Sequence, residues 1–147
     1  MKGQDTLFSA ERGTWRTPSD LMISHQEEFP NLYDVTETRN GTFDGLRDEW
    51  PRVCYLNPPY GPRLRAWLTK VRASYRERTI VALLPARTDT KWYHDDVLPT
   101  VSEIRFIRGR LKFDNAPTGA PFPSFLLVWR GGTSGPIGIR SVGKLGR

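Results

Sequence analysis

The chain has a single cysteine, Cys54, set in the apolar run Val53-Cys54-Tyr55-Leu56. One thiol closes no disulfide and builds neither a cysteine-based zinc site nor a redox pair, so the sequence suits a reducing compartment. Histidine is nearly as scarce: His25 and His94 stand far apart, and no metal site is expected. No stretch approaches the run of about 20 apolar residues that a bilayer span requires. The polar opening Met1–Gln4 is followed by no apolar segment of signal-peptide type. Neither membrane insertion nor export is expected, and nothing in the sequence calls for an obligate protein partner. Acidic residues are also sparse where basic ones gather. Residues 1–59 hold 6 Lys/Arg against 10 Asp/Glu, residues 60–112 hold 12 against 5, and residues 113–147 hold 4 against 1. The segments carry −4, +7 and +3, so the excess of +6 is concentrated in the later part of the chain. Such a field attracts polyanions, although a solvated basic surface has the same composition.

A length of 147 residues allows one domain of ordinary size. With 37% hydrophobic residues and five tryptophans there is enough apolar material for a core, despite a mean hydropathy of −0.53. The serine or aspartate of Thr17-Pro18-Ser19-Asp20 is placed to cap a helix running to about Glu28, which Pro30 stops. Leu32–Val35 and Arg52–Leu56 read as strands, with a turn-rich stretch from Thr36 to Asp48 between them. Leu64, Trp67, Leu68, Val71 and Tyr75 recur at helical spacing, with Pro62 suited to the first helical position. Thr79–Ala86 is a continuous apolar run of the kind buried on both faces of a sheet. Thr90–Leu98 reads as a short helix ended by Pro99. Ile104–Ile107 and Leu111–Phe113 flank Arg108-Gly109-Arg110, which predicts two strands joined by a tight basic turn. A Pro/Gly loop and the strand Phe125–Trp129 follow. Residues 131–147 carry six glycines and no acid and read as a flexible basic tail behind a single domain of residues 1–130. This alternation predicts an open α/β sheet, whose ligands bind beyond the carboxyl ends of the strands.

Asn57-Pro58-Pro59-Tyr60 is a loop of that kind. The exocyclic amine of adenine is a poor nucleophile because its lone pair is delocalised into the ring. Two acceptors placed on its two hydrogens turn it toward tetrahedral geometry. The Asn57 side-chain oxygen is one such acceptor and the Pro58 carbonyl the other, aimed rigidly by the fixed φ of the two prolines, which offer no N–H. Tyr60 supplies a face on which a base displaced from a duplex can stack. The bland alternative is a proline turn that closes a strand.

Five segments now point to a family. Trp15-Arg16-Thr17-Pro18, Asn57-Pro58-Pro59-Tyr60-Gly61, Leu83 through Thr90, Phe106 through Phe113, and Pro121-Phe122-Pro123-Ser124 occur in the order and approximate spacing seen in the phage-type DNA adenine methyltransferases. The chain resembles that family over roughly Trp15 to Arg130. The resemblance implies a Rossmann-like methyltransferase sheet with helices on both faces, S-adenosylmethionine as cofactor, double-stranded DNA as partner, and the cytoplasm of a bacterial host with a phage or prophage gene. It assigns Asn57, Pro58 and Tyr60 to the catalytic loop, and places Trp15, Thr17 and Pro18 beside the methionine end of the cofactor. Asp34 and Asp44 match the family's two acidic landmarks and are the candidates for the cofactor's ribose hydroxyls or amino group. Arg87 and Asp89, after a buried strand, are candidates for contact with the target base or strand. Arg108, Arg110 and Lys112 are candidates for phosphate contacts, which position a protein without reading sequence.

The first half departs from the family. Only nine residues separate Asp34 from Asp44, too few for the usual extra strand and helix, and no Gly-x-Gly turn replaces them. The sheet is therefore expected to be reduced there, with the adenosine pocket reduced, open or missing. Two rival functions follow: the same loop acting on another planar amide or amine, such as a protein glutamine or an RNA guanine, and a DNA-binding protein of this descent that has lost the cofactor.

Overall fold

The computed structural model describes residues 15–37 and 41–147. The polar opening Met1–Gln4 lies outside them. The elements run α1 (Ser19–Glu28), β1 (Tyr33–Asp34), β2 (Val53–Leu56), α2 (Leu64–Ser74), β3 (Thr79–Pro85), β4 (Glu103–Ile107), β5 (Ser124–Arg130) and β6 (Gly138–Val142). They form one six-stranded mixed sheet in the order β1-β2-β3-β5-β4-β6. β1, β2 and β3 pair parallel, β5 runs antiparallel between β3 and β4, and β6 pairs parallel to β4. Only β5 runs against the rest.

Side-chain alternation along β2, β3 and β5 builds two cores. Cys54, Leu56, Ile80, Ala82, Leu84, Leu127 and Trp129 face α2 and the π-helical turn Tyr93–Val97. Tyr55, Val81, Leu83, Leu126 and Val128 face α1 and the aromatic side chains of Trp15, Phe113 and Phe122. Helices therefore cover both faces, which is why β3 reads as an unbroken apolar run. Ile80, Leu83 and Leu84 are fully buried, each contributing roughly 1.5–3 kcal/mol of transfer free energy. Trp129 and Trp50 keep their indole N–H groups satisfied, on Thr100 Oγ1 at 2.9 Å and the Gly45 carbonyl at 2.6 Å.

Four readings of the sequence are corrected. Leu111–Phe113 is no strand: β4 already has β5 on one side and β6 on the other, so no edge is left for a hairpin partner. Leu111 and Phe113 bury with strand-like alternation because they pack against the aromatic core, not because a ladder holds them. Residues 131–147 are no flexible tail. Their glycines permit the turns around β6, Arg147 donates to Ser24 Oγ at 2.9 Å and to Glu27 at 2.6 Å, and Gly146 is buried against His25, Leu21 and Leu126. The cap of α1 is neither its serine nor its aspartate. Asp114, distant in sequence, receives the Ser19 hydroxyl and backbone N–H and so places a carboxylate at the positive end of the helix. Further along, α2 begins at Leu64, leaving Pro62 in the preceding turn.

Beneath α1 lies a buried ion-pair network. Arg105, 1% exposed on β4, makes a two-pronged contact with Glu28 at 2.6 and 2.7 Å, another with Glu103 at 2.6 Å, and donates to the Gly146 carbonyl. Burial alone would raise the Glu103 carboxyl. Hydrogen bonds from Arg105, Arg130 and Arg140 overcome it and hold the group at about 2. The hydrogen bond from Arg105 likewise holds the Glu28 carboxyl below its usual range. The network ties α1 to β4 and so fixes the helix whose N-terminal end borders the site.

Candidate active site

The carboxyl ends of β1, β2 and β3 lead into the segments that carry Thr36, Asn57 and Arg87. Asn57 is 7% exposed and every polar atom of its side chain is engaged. Its amide nitrogen donates to the Trp15 carbonyl and to Thr17 Oγ1 at 3.1 Å, so both amide hydrogens point toward the 15–17 segment. Its Oδ1 is thereby turned the other way, where it accepts the Tyr60 hydroxyl at 2.9 Å. Thr17 is fixed in turn by the buried Tyr55 hydroxyl at 2.7 Å, and the Asn57 backbone N–H donates to Thr36 Oγ1 at 3.2 Å. One lone pair of Oδ1 is taken by Tyr60 and the second remains for an incoming N–H. The Pro58 carbonyl, on a buried residue, takes no hydrogen bond from the described residues.

The 15–17 segment is itself stitched in place. Its Arg16 N–H donates to Asn115 Oδ1 at 2.8 Å, and the Asp114 N–H donates to the Arg16 carbonyl at 3.0 Å. The Trp15 ring meets Phe113 and Phe122 at 5.3 and 5.4 Å between centroids. Phe122 also meets the Tyr60 ring edge-on at 5.5 Å and lies under the Arg87 guanidinium at 6.0 Å. One aromatic side chain thus joins the loops after β2 and β3 to the N-terminal segment.

Beside Asn57 opens a cavity of about 560 Å³. Trp15, Thr17, Asp34, Thr36, Glu37 and Asp114 contribute to its wall together with Asn57. Burial raises the Asp34 carboxyl above its usual range, and hydrogen bonds from the Thr36 hydroxyl and N–H only partly offset that. Three carboxylates outweigh the single cation Arg16, and with two threonines and a tryptophan they suit a ligand that carries positive charge, hydroxyls and a planar ring.

Of the residues the sequence put forward, Trp15, Thr17, Asp34 and Asn57 come together at this cavity, with Tyr60 bonded to Asn57. Pro18 precedes α1 and does not line it. Asp44 also stands apart. Its carboxylate accepts the Leu46 N–H at 2.9 Å and its carbonyl the Arg47 and Asp48 N–H groups, an Asx-type turn. Gly45 next to it is required for close approach, since a Cβ there would lie 2.0 Å from the Val35 carbonyl oxygen. Arg87 and Asp89 are exposed on the loop after β3 and form no ion pair with each other. Arg108, Arg110 and Lys112 are exposed beyond β4, with Arg110 3.4 Å from the Ala120 carbonyl. Sequence reasoning missed Thr36, Tyr55, Asp114 and Phe122. Asp114 left a signal, as the only acid in residues 113–147, and Phe122 lies inside one of the family-like segments. Tyr55 looks like any strand residue.

Among the described residues no cluster of three or more metal-ligating side chains occurs, and no helix is long and apolar enough to cross a membrane. The sequence model of a family described as DNA N-6-adenine-methyltransferase (Dam) matches residues 4–131. No curated protein and no solved structure matches the chain.

Proposed function

The chain belongs to the DNA N-6-adenine-methyltransferase (Dam) family, and from that premise we propose that it methylates the exocyclic amine of adenine in double-stranded DNA, with S-adenosylmethionine as cofactor. The observation that carries this reading is the locked Asn57 amide. Its hydrogens are committed to Trp15 and Thr17, so an oxygen, not an NH₂ group, is left to accept, and the next carbonyl in the chain, that of Pro58, takes no hydrogen bond from the described residues. The opposite orientation would set donor against donor and repel an amine.

When bound, the cofactor would supply an electrophilic methyl group from a sulfonium, whose methyl–sulfur bond breaks to leave a neutral thioether. This chain's residues do the rest. Asn57 Oδ1 and the Pro58 carbonyl accept the two hydrogens of the amine and free its lone pair from the ring. The nitrogen becomes cationic as the bond to carbon forms and only then loses a proton to water, so no general base is required before attack. Tyr60 is the side chain on which a displaced base would stack; Phe122 backs it edge-on, and Arg87 adds a cation over Phe122. The acidic cavity walls, Asp34 above all, suit the cofactor's ammonium and ribose hydroxyls.

The sheet supports a Rossmann-like reading with a reduced first half. Parallel β1, β2 and β3 lead to a reversed β5 inserted before β4, and among the described residues between β1 and β2 there is no further strand. On this reading the described residues form one methyltransferase-like domain that includes β6, and the bacterial, phage-related setting rests on the sequence resemblance alone. The shortened half also favours a second reading, a DNA-binding protein of this descent without cofactor.

Transfer of labelled methyl from S-adenosylmethionine to an adenine-containing duplex separates the two. The parent should methylate adenine, and Asn57→Ala should lose about a hundredfold in turnover while cofactor and DNA affinity change far less. Equal turnover in Asn57→Ala would refute the role of the loop. A parent that binds duplex DNA but not the cofactor would establish the second reading.

A further inference from the structure

The family match ends at residue 131, and residues 132–147 build β6 and the turn after it. That turn is fixed at both ends. The Arg108 N–H donates to the Val142 carbonyl at 2.9 Å, Gly143 and Arg147 share a backbone hydrogen bond at 3.0 Å, and Arg147 is clamped to Ser24 and Glu27 on α1. Lys144 therefore springs from a held backbone, and its side chain lies across Gly109. A Cβ at Gly109, whose φ of +82° already favours glycine, would sit 3.3 Å from Lys144 Cε and 4.0 Å from Nζ. The ammonium is thus brought against the glycine between Arg108 and Arg110, with Lys112 following. Among the described residues none of these four cations pairs with a carboxylate, whereas Arg105, Arg130, Arg140 and Arg147 all do. Unpaired like charges gathered on neighbouring turns attract a polyanion, which exchanges its condensed counterions for them.

We propose that Lys144, supplied from outside the family match, completes with Arg108, Arg110 and Lys112 a surface that grips the phosphate backbone of duplex DNA. This rests on the reading of DNA as substrate, and adds that β6 extends the DNA-binding edge. Because the cluster meets phosphates and no base edge, it sets affinity and register rather than sequence preference.

The test is the salt dependence of duplex binding by the full chain, followed by fluorescence anisotropy. Lys144→Gln should flatten the slope of log affinity against log salt by about one unit and weaken binding about fivefold near 0.15 M salt. Lys144→Arg should restore both, and Arg140→Gln, a cation of β6 paired with Glu103, should leave the slope unchanged. A parental slope in Lys144→Gln, in a parent that binds DNA, would overturn the role of Lys144 and leave the methyltransferase reading standing. No duplex binding by the parent would overturn both. Competition by inorganic phosphate as effective per phosphate as duplex DNA would mark a discrete anion site and overturn the backbone assignment.

Discussion

Acid should destabilise this fold through one side chain above all. His25, on α1, is 1% exposed, its ring lies 5.5 Å from that of Tyr55, and Gly146 is pressed against its Cε1. Among the described residues its Nε2 has no hydrogen-bond partner. Burial lowers the imidazole from 6.5 to about 4. Glu28 opposes that shift, and the Arg105 and Arg147 cations reinforce it. In the unfolded chain the ring takes up its proton near 6.5, whereas in the folded chain it waits until about 4. The unfolded state therefore binds more protons throughout that window, and stability falls as pH falls across it. Linkage with these two values gives a loss of about 2 kcal/mol between pH 7 and pH 5, and about 3 kcal/mol once both states are protonated. A domain of this size then melts roughly 4–8 °C lower at pH 5 than at pH 7. The other shifted carboxyls do not mimic this. Glu28 and Glu103 are held low, so their contribution is lost only as pH falls below the ordinary carboxylate range, and Asp34, held high, acts with the opposite sign. Urea unfolding of the parent and of His25→Leu at intervals between pH 7 and pH 5 measures the difference. The variant should show a much flatter dependence. Matching curves for the two proteins would show that the acid sensitivity arises elsewhere.

Two further outcomes follow from the buried charges. Arg105→Leu strips the cation shared by Glu28 and Glu103 and should cost about 3–5 kcal/mol in urea unfolding. Adding Glu28→Gln should recover part of that loss, and strict additivity of the two changes would argue that the pair is not coupled. Asp34→Asn preserves the shape that accepts both Thr36 hydrogen bonds while removing a carboxylate that burial disfavours, so the fold should be equally or more stable at neutral pH. Its affinity for S-adenosylmethionine, measured by calorimetry, should fall about ten- to a hundredfold, and an unchanged affinity would remove Asp34 from the cofactor site.

Much of the sheet is legible in the sequence because local pattern and tertiary environment agree. β3 is an unbroken apolar run because cores press on both its faces, and α2 keeps a helical stripe because only one of its faces is covered. Agreement fails where a segment's partner is remote. Leu111–Phe113 alternates like a strand because an aromatic cluster from three distant segments receives its odd residues. Residues 138–142 look like linker because a parallel edge strand beside β4 needs only the backbone, and four of its five residues stay exposed. Ile137, Ile139 and Val142 are too sparse a hydrophobic signal among the glycines to reveal it.

The site shows the same division between kind of residue and orientation. Asn57 and Pro58 can be chosen from the chemistry of an amine with two hydrogens, since only acceptors will serve. Which end of the Asn57 amide faces the amine is decided by the Trp15 carbonyl and Thr17, some forty residues earlier, and by Tyr55 behind them. Charge behaves likewise. The acidic first segment of the chain supplies Asp34 and Glu37 to the cavity, joined by the lone late acid Asp114, while the basic later segments supply Arg87, Arg108, Arg110, Lys112 and Lys144 beyond β3, β4 and β6. On the proposed function, a cationic cofactor and a polyanionic substrate demand fields of opposite sign within one small domain. The sign change along the sequence becomes, through parallel strands that end on one edge, a division between the mostly acidic cavity wall and the cations on the loops beyond β3, β4 and β6.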